Sequence, residues 1–348
     1  MKNVLILQNS IPHYRIPVYV ELSKYYNVTV LHSGAKVMGI DRVFNEIIMP
    51  NKKIGPFYIQ SGVLTQVASD EYDVIIAMFD VRWLNNVLAV FFKKNARFIF
   101  WGHRYSNNIL INKVRDLLML ITDGILLYSN SEVVRMNSRG IANSKIFVAP
   151  NTMYISNCSD GSSSIKNSFI FVGRAQKRKQ VDILIRSFSE ILDRIPSYVK
   201  LNIIGSGVEN ENLKILANQL NISDRVNFLG EIIDEEKLKY FFHQAYAYIS
   251  PGPVGLSVLQ SFAYGIPVVT NHSGKHGPEF SNLIPDRNAL LFNSFDELKE
   301  ILVSLCVDSS LSSRLGKNAY EFYSNERTLG KMIFGFKDAI ENIRDIAI

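Results

Sequence analysis

The chain has 348 residues, 47% of them hydrophobic, two cysteines, and 38 Lys and Arg against 32 Asp and Glu for a net charge of +6. That length predicts two domains, each able to bury its own core. Cys158 and Cys306 alone exclude a disulfide framework, and no apolar run approaches the roughly 20 residues that span a bilayer, so a cytoplasmic chain is expected.

The opening MKNVLILQNS has too short an apolar run for a secretion signal, and residues 3–7 read as a buried parallel strand. A loop at 9–17 (NSIPHYRIP) carries His13, Tyr14 and Arg15. Then come a helix at 18–25, strands at 28–32, 44–49 and 73–79, a helix at 83–94 and a strand at 97–101 that leads into Gly102, His103 and Arg104. A helix at 108–121, a strand at 124–128, a helix at 132–139 and a strand at 145–149 follow. Short connections between alternating strands and helices predict a doubly wound parallel sheet.

Residues 156–167 (SNCSDGSSSIKN) lack apolar periodicity and read as a linker. The alternation then restarts with strands at 168–172, 200–204, 226–229, 245–250, 268–270 and 289–292. Helices lie at 181–192, 210–220 and 234–243, one opens near Gly255, and three more finish the chain at 295–305, 310–323 and 326–346. The expected fold class is α/β, two tandem Rossmann-like domains. Residues 1–160 form the first, rejoined by the terminal helix at about 326–348, and 161–325 form the second. The carboxyl ends of both sheets would then face one cleft, where open α/β sheets bind ligands.

Charge is unevenly spread. Residues 1–150 hold 17 Lys and Arg against 10 Asp and Glu, and the remainder 21 against 22. A basic first half suits an anionic partner, and membrane headgroups and nucleic acid both qualify.

Three loops at predicted strand ends carry the chemistry. Residues 251–270 (PGPVGLSVLQSFAYGIPVVT) read as glycine loop, helix and strand, and the helix start at Gly255 can receive an anion. Residues 173–180 deliver Arg174, Lys177, Arg178 and Lys179 directly after a buried strand, as a pyrophosphate clamp would. Gly205, Ser206 and Gly207 let a ligand approach the backbone. Each loop alone also fits an ordinary turn.

Taken in order, VGRAQKRKQVDILI, LNIIGSGVENENLKILANQLNISDRVNFLGEI and PGPVGLSVLQSFAYGIPVV resemble the donor-binding domain of retaining glycosyltransferases with the GT-B fold, family four. The match covers about 168–293; IPHYRIPVY, WGHR and VAPNTM match the first half weakly. The resemblance implies a nucleotide-sugar donor (UDP- or GDP-sugar) on the second domain, an acceptor on the first, and a last helix crossing back. By position, it puts the diphosphate on Gly173, Arg174 and Lys179, with Gly255 and Leu256 at the helix start. It puts the nucleoside beside Gly205, Ser206 and Gly207, and the base on Glu231 and Ile232. The family's paired glutamates fall on Gly252 and Gln260, and neither is a glutamate. Gln260 can still hydrogen-bond a ribose; contact to the donor sugar would have to come from backbone at Pro253, Val254 and Gly255, or from Glu279 as a substitute carboxylate.

WGHR places His103 where these transferases carry a histidine beside the reacting sugar, the alternative being a structural histidine. His13, Tyr14 and Arg15 are acceptor-side candidates, while His272 and His276 read as loop residues. No spacing supports a metal, and the donor is the only cofactor expected. The resemblance implies a metal-independent, retaining hexosyltransferase. Its acceptor would be a saccharide, polyprenyl-diphosphate-linked, in capsule, O-antigen or exopolysaccharide assembly. With the charge count it places the chain at an anionic membrane surface, the inner face, with no nucleic-acid partner. A sugar-nucleotide epimerase and a non-catalytic nucleotide-sugar-binding subunit are the alternatives.

Overall fold

The apolar run NVLIL forms the first strand, β1 (Asn3–Leu7), and Val4 to Leu7 are wholly buried. The structure, a computed structural model, describes residues 1–36, 43–102, 108–274 and 276–343. It divides into two units, residues 1–154 with 328–348, and residues 155–327.

In the first unit β1 leads through a 3-10 turn at His13–Arg15 to α1 (Ile16–Leu22) and β2 (Asn27–His32). Strand β3 (Asn45–Ile48) is followed by a hairpin, β4 (Asn51–Ile54) and β5 (Phe57–Gln60), then α2 (Val63–Val67) and β6 (Val74–Met78). Next come α3 (Leu84–Leu88), β7 (Arg97–Trp101), α4 (Ile109–Ile121), β8 (Gly124–Leu127), α5 (Val133–Asn137) and β9 (Ile146–Val148). Seven strands form a parallel sheet in the order β3-β2-β1-β6-β7-β8-β9. Alternate residues of β1 serve opposite faces: Val4 and Ile6 join the core under α1, Leu5 and Leu7 the core under α2 to α5. Strand β4 (NKKI), fully exposed, gave no apolar signal to read in the sequence, and the hairpin was missed with it. The helix expected at 83–94 stops at Leu88 and continues as a 3-10 turn.

The second unit contains β10 (Ser168–Val172), α6 (Val181–Ser189), β11 (Lys200–Ile204), α7 (Asn210–Gln219) and β12 (Val226–Gly230). It continues with α8 (Glu235–His243), β13 (Ala245–Ser250), α9 (Ser257–Ala263), β14 (Val268–Asn271), β15 (Ala289–Phe292), α10 (Phe295–Val307) and α11 (Ser309–Glu326). Its six parallel strands run β12-β11-β10-β13-β14-β15. Every residue of β13 is buried, as a central strand covered on both faces requires.

Residues 156–167 are not a loose linker. The N–H groups of Ser159 and Gly161 donate to the carbonyls of Ala263 and Tyr264, and Asn157 reaches Glu236 at 2.7 Å. Lys166 donates to Gly161 O and His243 O, at 2.8 and 2.9 Å, and its burial pushes the pKa down to about 8. Serine and glycine here serve backbone hydrogen bonding along α8 and α9, which composition cannot distinguish from a tether.

The last helix, α12 (Leu329–Asn342), belongs to the first unit. Met332, Ile333, Phe336, Ala339 and Ile340 enter the β1-side core, and Phe336 meets Trp101 edge-on at 4.9 Å. Lys2 and Tyr26 both bind Glu341, at 2.6 and 2.9 Å. Phe336→Ala should therefore destabilise the first unit by about 3–5 kcal/mol, the usual scale for emptying a buried phenyl site. Urea unfolding monitored by tryptophan fluorescence would read this, and an unchanged midpoint would show that α12 is dispensable there.

Candidate functional site

The chain runs outward from β10 to β11 and β12, then returns to place β13 on the other side of β10. The strand order reverses between β10 and β13, the point where open α/β sheets bind ligands at their carboxyl ends. Three loops meet there. The loop after β10 (173–180) is hydrogen-bonded to the glycine loop after β11 on one side, Ala175 N–H to Ser206 O at 3.1 Å. On the other side Gly252 N–H, after β13, donates to Lys179 O at 3.1 Å.

These approaches exclude side chains. A Cβ on Gly205, whose φ is +122°, would lie 2.1 Å from Gly173 O. One on Gly252 would lie 2.2 Å from Arg178 O and 2.8 Å from the Cα of Lys179. The missing glutamate at 252 thus has a structural reason: backbone of the basic loop occupies the space where its side chain would begin.

The same packing separates the cations. Lys179 is buried, and its Nζ donates to Pro253 O. Burial, helped by the Arg178 charge and opposed by Glu279, brings its pKa down to about 8. Arg174 is exposed at the strand end and has no ion pair among the described residues. The N–H groups of Gly255, Leu256 and Ser257 find no acceptor among the described residues, and Gly255 faces open space. Since α9 has only seven residues, these donors and the two cations matter more here than a helix dipole. Gln260 on α9 is 7% exposed, with no hydrogen bond to its amide among the described residues. Glu231 and Ile232 follow β12, exposed and half-buried.

Glu279 is buried in the 3-10 turn Pro278–Asn282 and close enough to influence Lys179. His276 explains how it gets there, and is no loose loop residue. Val254 N–H donates to His276 Nδ1 at 3.3 Å, His276 Nε2–H donates to Asn271 O at 2.7 Å, and Gly277 N–H donates to Val254 O at 3.2 Å. Phe280 stacks on the ring at 4.2 Å. Burial, with Lys179 adding to it, holds this imidazole below its ordinary pKa, which suits a neutral ring accepting at Nδ1. The HGPEF spacing could have signalled this only if Val254 had been known to lie opposite.

In the first unit His103 lies outside the described residues. His13 is exposed and meets Tyr14 edge-on at 5.8 Å. Arg15, expected on the acceptor side, is instead internal at 3% exposure. Its guanidinium donates to Asn151 Oδ1 at 2.7 Å, packs over Trp101 at 4.8 Å and Tyr128 at 5.6 Å, and reaches the Met332 sulfur at 3.5 Å. Such a group holds elements of this unit together.

Residues 160–322 match the family of glycosyl transferases group 1. An uncharacterized glycosyltransferase of Haemophilus influenzae is 28% identical over 222 residues, 61% of each chain. Alpha-monoglucosyldiacylglycerol synthase of Streptococcus pneumoniae is 30% identical over 45% of this chain and 38% of that protein. The lipopolysaccharide core biosynthesis glycosyltransferase LpsE of Rhizobium meliloti is 31% identical over 43% and 42%. The chain thus spans less than two thirds of these relatives' lengths. Among solved structures, a glycosyltransferase of Rickettsia africae superposes with a TM-score of 0.77 at 15% identity, covering 98% of both chains. Anabaena HepE in complex with UDP gives 0.71 at 16% identity over 98% and 99%. The fold is that of GT-B glycosyltransferases.

Two outcomes test this arrangement. A protonated Lys179 attracts a diphosphate and a neutral one does not. Affinity for UDP or GDP should therefore fall as pH rises through about 8, and Lys179→Met should flatten that profile in calorimetric titrations. Gly252→Ala should weaken nucleotide binding about tenfold or more, roughly 1.4 kcal/mol, by pushing the loops apart; binding equal to the parent's would show that the loops tolerate a Cβ.

Proposed function

We propose that this chain, which carries a glycosyl transferases group 1 domain at residues 160–322, moves a hexosyl group from a nucleoside-diphosphate sugar to a saccharide acceptor with retention at the anomeric carbon. The observation that carries the reading is the meeting of Arg174, Lys179 and three unused N–H groups where strand order reverses. Placed beforehand, these donors stabilise the charge that develops on a departing diphosphate without reorganising. HepE binds UDP on a similar scaffold, which supports a nucleotide-sugar donor.

Arg174, free at the loop tip, grips the diphosphate, while Lys179 neutralises it from below. Gly205, Ser206 and Gly207 flank the nucleoside, main chain at Glu231 and Ile232 binds the base, and Gln260 binds the ribose. With no carboxylate at 252, Glu279 serves the donor sugar, aided by backbone at Pro253 and Val254. The departing diphosphate oxygen takes the proton of the acceptor hydroxyl on the same face of the sugar. Residues 1–154 with the terminal helix bind the acceptor, with His103 beside the reacting sugar and His13 and Tyr14 at its edge. Relatives named for diacylglycerol and lipopolysaccharide products support a lipid-linked acceptor, and hence work at the inner membrane face.

The absent carboxylate favours one second reading, a subunit that binds nucleotide-sugar without turnover. Product formation separates the two. Arg174→Ala should weaken binding of the cognate nucleoside diphosphate by about 1.5–3 kcal/mol, the scale for a hydrogen bond to a charged group. Transfer should survive EDTA and give a product with the donor's anomeric configuration by NMR. An inverted product, or loss of transfer on chelation with recovery on adding Mg²⁺, would overturn the retaining, metal-independent reading.

A further inference from the structure

Helix α4 turns the wrong face outward for a helix in water. Of its thirteen residues only Leu118 and Met119 are buried. Leu110, Val114, Leu117 and Ile121 recur every three or four positions, so they form one stripe, and Leu110 and Leu117 are 72% and 62% exposed. Ile109 and Leu120 widen it. The patch extends sideways. Lys93 pairs with Asp123 at the end of α4, bringing exposed Phe91 and Phe92 alongside. Arg139 pairs with Asp116 from the α5 side, where Val134 is 76% exposed. Monomeric soluble proteins rarely leave so continuous an apolar surface uncovered.

Charge says what covers it. Residues 88–148 hold nine Lys and Arg against three Asp and Glu, so nearly all the net excess of the first unit lies in the stretch of chain that flanks this helix. Two of the three carboxylates, Asp116 and Asp123, are already paired, whereas Lys94 and Lys113 stand exposed. A second copy of the same face would set two strongly positive surfaces against each other. A bilayer with anionic headgroups offers both an apolar interior and compensating charge. At about 1.5 Å per residue α4 is about 20 Å long, and no helix among the described residues is long and apolar enough to cross a membrane. An interfacial helix lying in the headgroup plane meets both conditions.

We propose that α4, with the neighbouring Phe91, Phe92 and Val134, is the element that docks the first unit onto an anionic membrane surface, its apolar stripe entering the acyl boundary. This deepens the lipid-linked acceptor proposed above, and rests on that reading for its role in transfer. Lys145 supports the geometry by donating to Leu120 O and Thr122 O at 2.7 and 3.0 Å, which closes the helix end facing the same layer.

The test uses the full chain and vesicles of phosphatidylcholine with or without phosphatidylglycerol. The parent should co-sediment with the anionic vesicles at least tenfold more than with neutral ones, less so at high salt. The triple variant Leu110→Gln, Val114→Gln, Leu117→Gln should fall to background while retaining nucleoside diphosphate affinity and thermal midpoint. Should it fold poorly, Leu117→Trp offers a second reading, since the native Trp83 and Trp101 are buried: its emission should shift to the blue with anionic vesicles alone. Several results would overturn the proposal: no binding to either vesicle, equal binding to both, a triple variant that binds like the parent, or a parent dimer that the triple variant dissolves. Nucleotide binding is measured separately without lipid, so a failure of the transferase reading would leave this result standing, and the reverse.

Discussion

The second unit depends on main-chain contact between three loops far apart in sequence. Gly205 presses on Gly173 O and Gly252 on Arg178 O, at separations that no β-carbon could occupy. Because the loops interlock, the basic segment after β10 is held by its backbone, and its side chains are free to divide their tasks. Arg174 stays exposed to solvent, while Lys179 is drawn under the loop to Pro253 O. One cation can reach for a ligand and the other waits in place, at the cost of partial desolvation.

That desolvation links the cluster to its surroundings. Glu279 raises the proton affinity of Lys179 and Arg178 lowers it, so the charge under the loop is poised by neighbours on two different elements. Glu279 is in turn placed by the segment that His276 and Gly277 tie to Val254. Position 252 has no room for a side chain, and the carboxylate that acts on Lys179 arrives instead from the segment after β14. The two features are consistent: the close approach that forbids a side chain at 252 also brings residues 253–254 within reach of His276.

The first unit is organised by a different constraint, a buried arginine with no carboxylate partner among the described residues. Arg15 is buried among Trp101, Tyr128 and Asn151, and touches Met332 on α12. Aromatic faces and a side-chain amide meet part of its charge, which makes the positions of β7, β8 and the terminal helix interdependent. Burial also keeps the Tyr19 phenol protonated well above its ordinary range, with the Arg15 charge opposing the shift. The opposite side of this sheet carries α4, with its apolar surplus, in the stretch of chain that holds most of the unit's net positive charge.

The sequence by itself determined the strands of the two parallel sheets, the basic loop after β10 and the glycine loops, because each is a local run whose period or composition survives without its neighbours. VGRAQKRK and PGPVGLS are legible as strand-end loops since apolar strands precede them. Only the tertiary structure decided that Gly252 lies against Arg178, that His276 accepts from Val254, that residues 156–167 are part of a folded unit, and that Arg15 turns inward. It also decided which side of ILINKVRDLLMLI faces water: periodicity marks an apolar stripe, and only the packing shows that Leu118 and Met119 are buried while Leu110 and Leu117 are left exposed. These facts pair residues that chain order keeps apart. The contact of Gly252 with Arg178 follows from the reversal of strand order at β10, which sets loops more than 70 residues distant side by side.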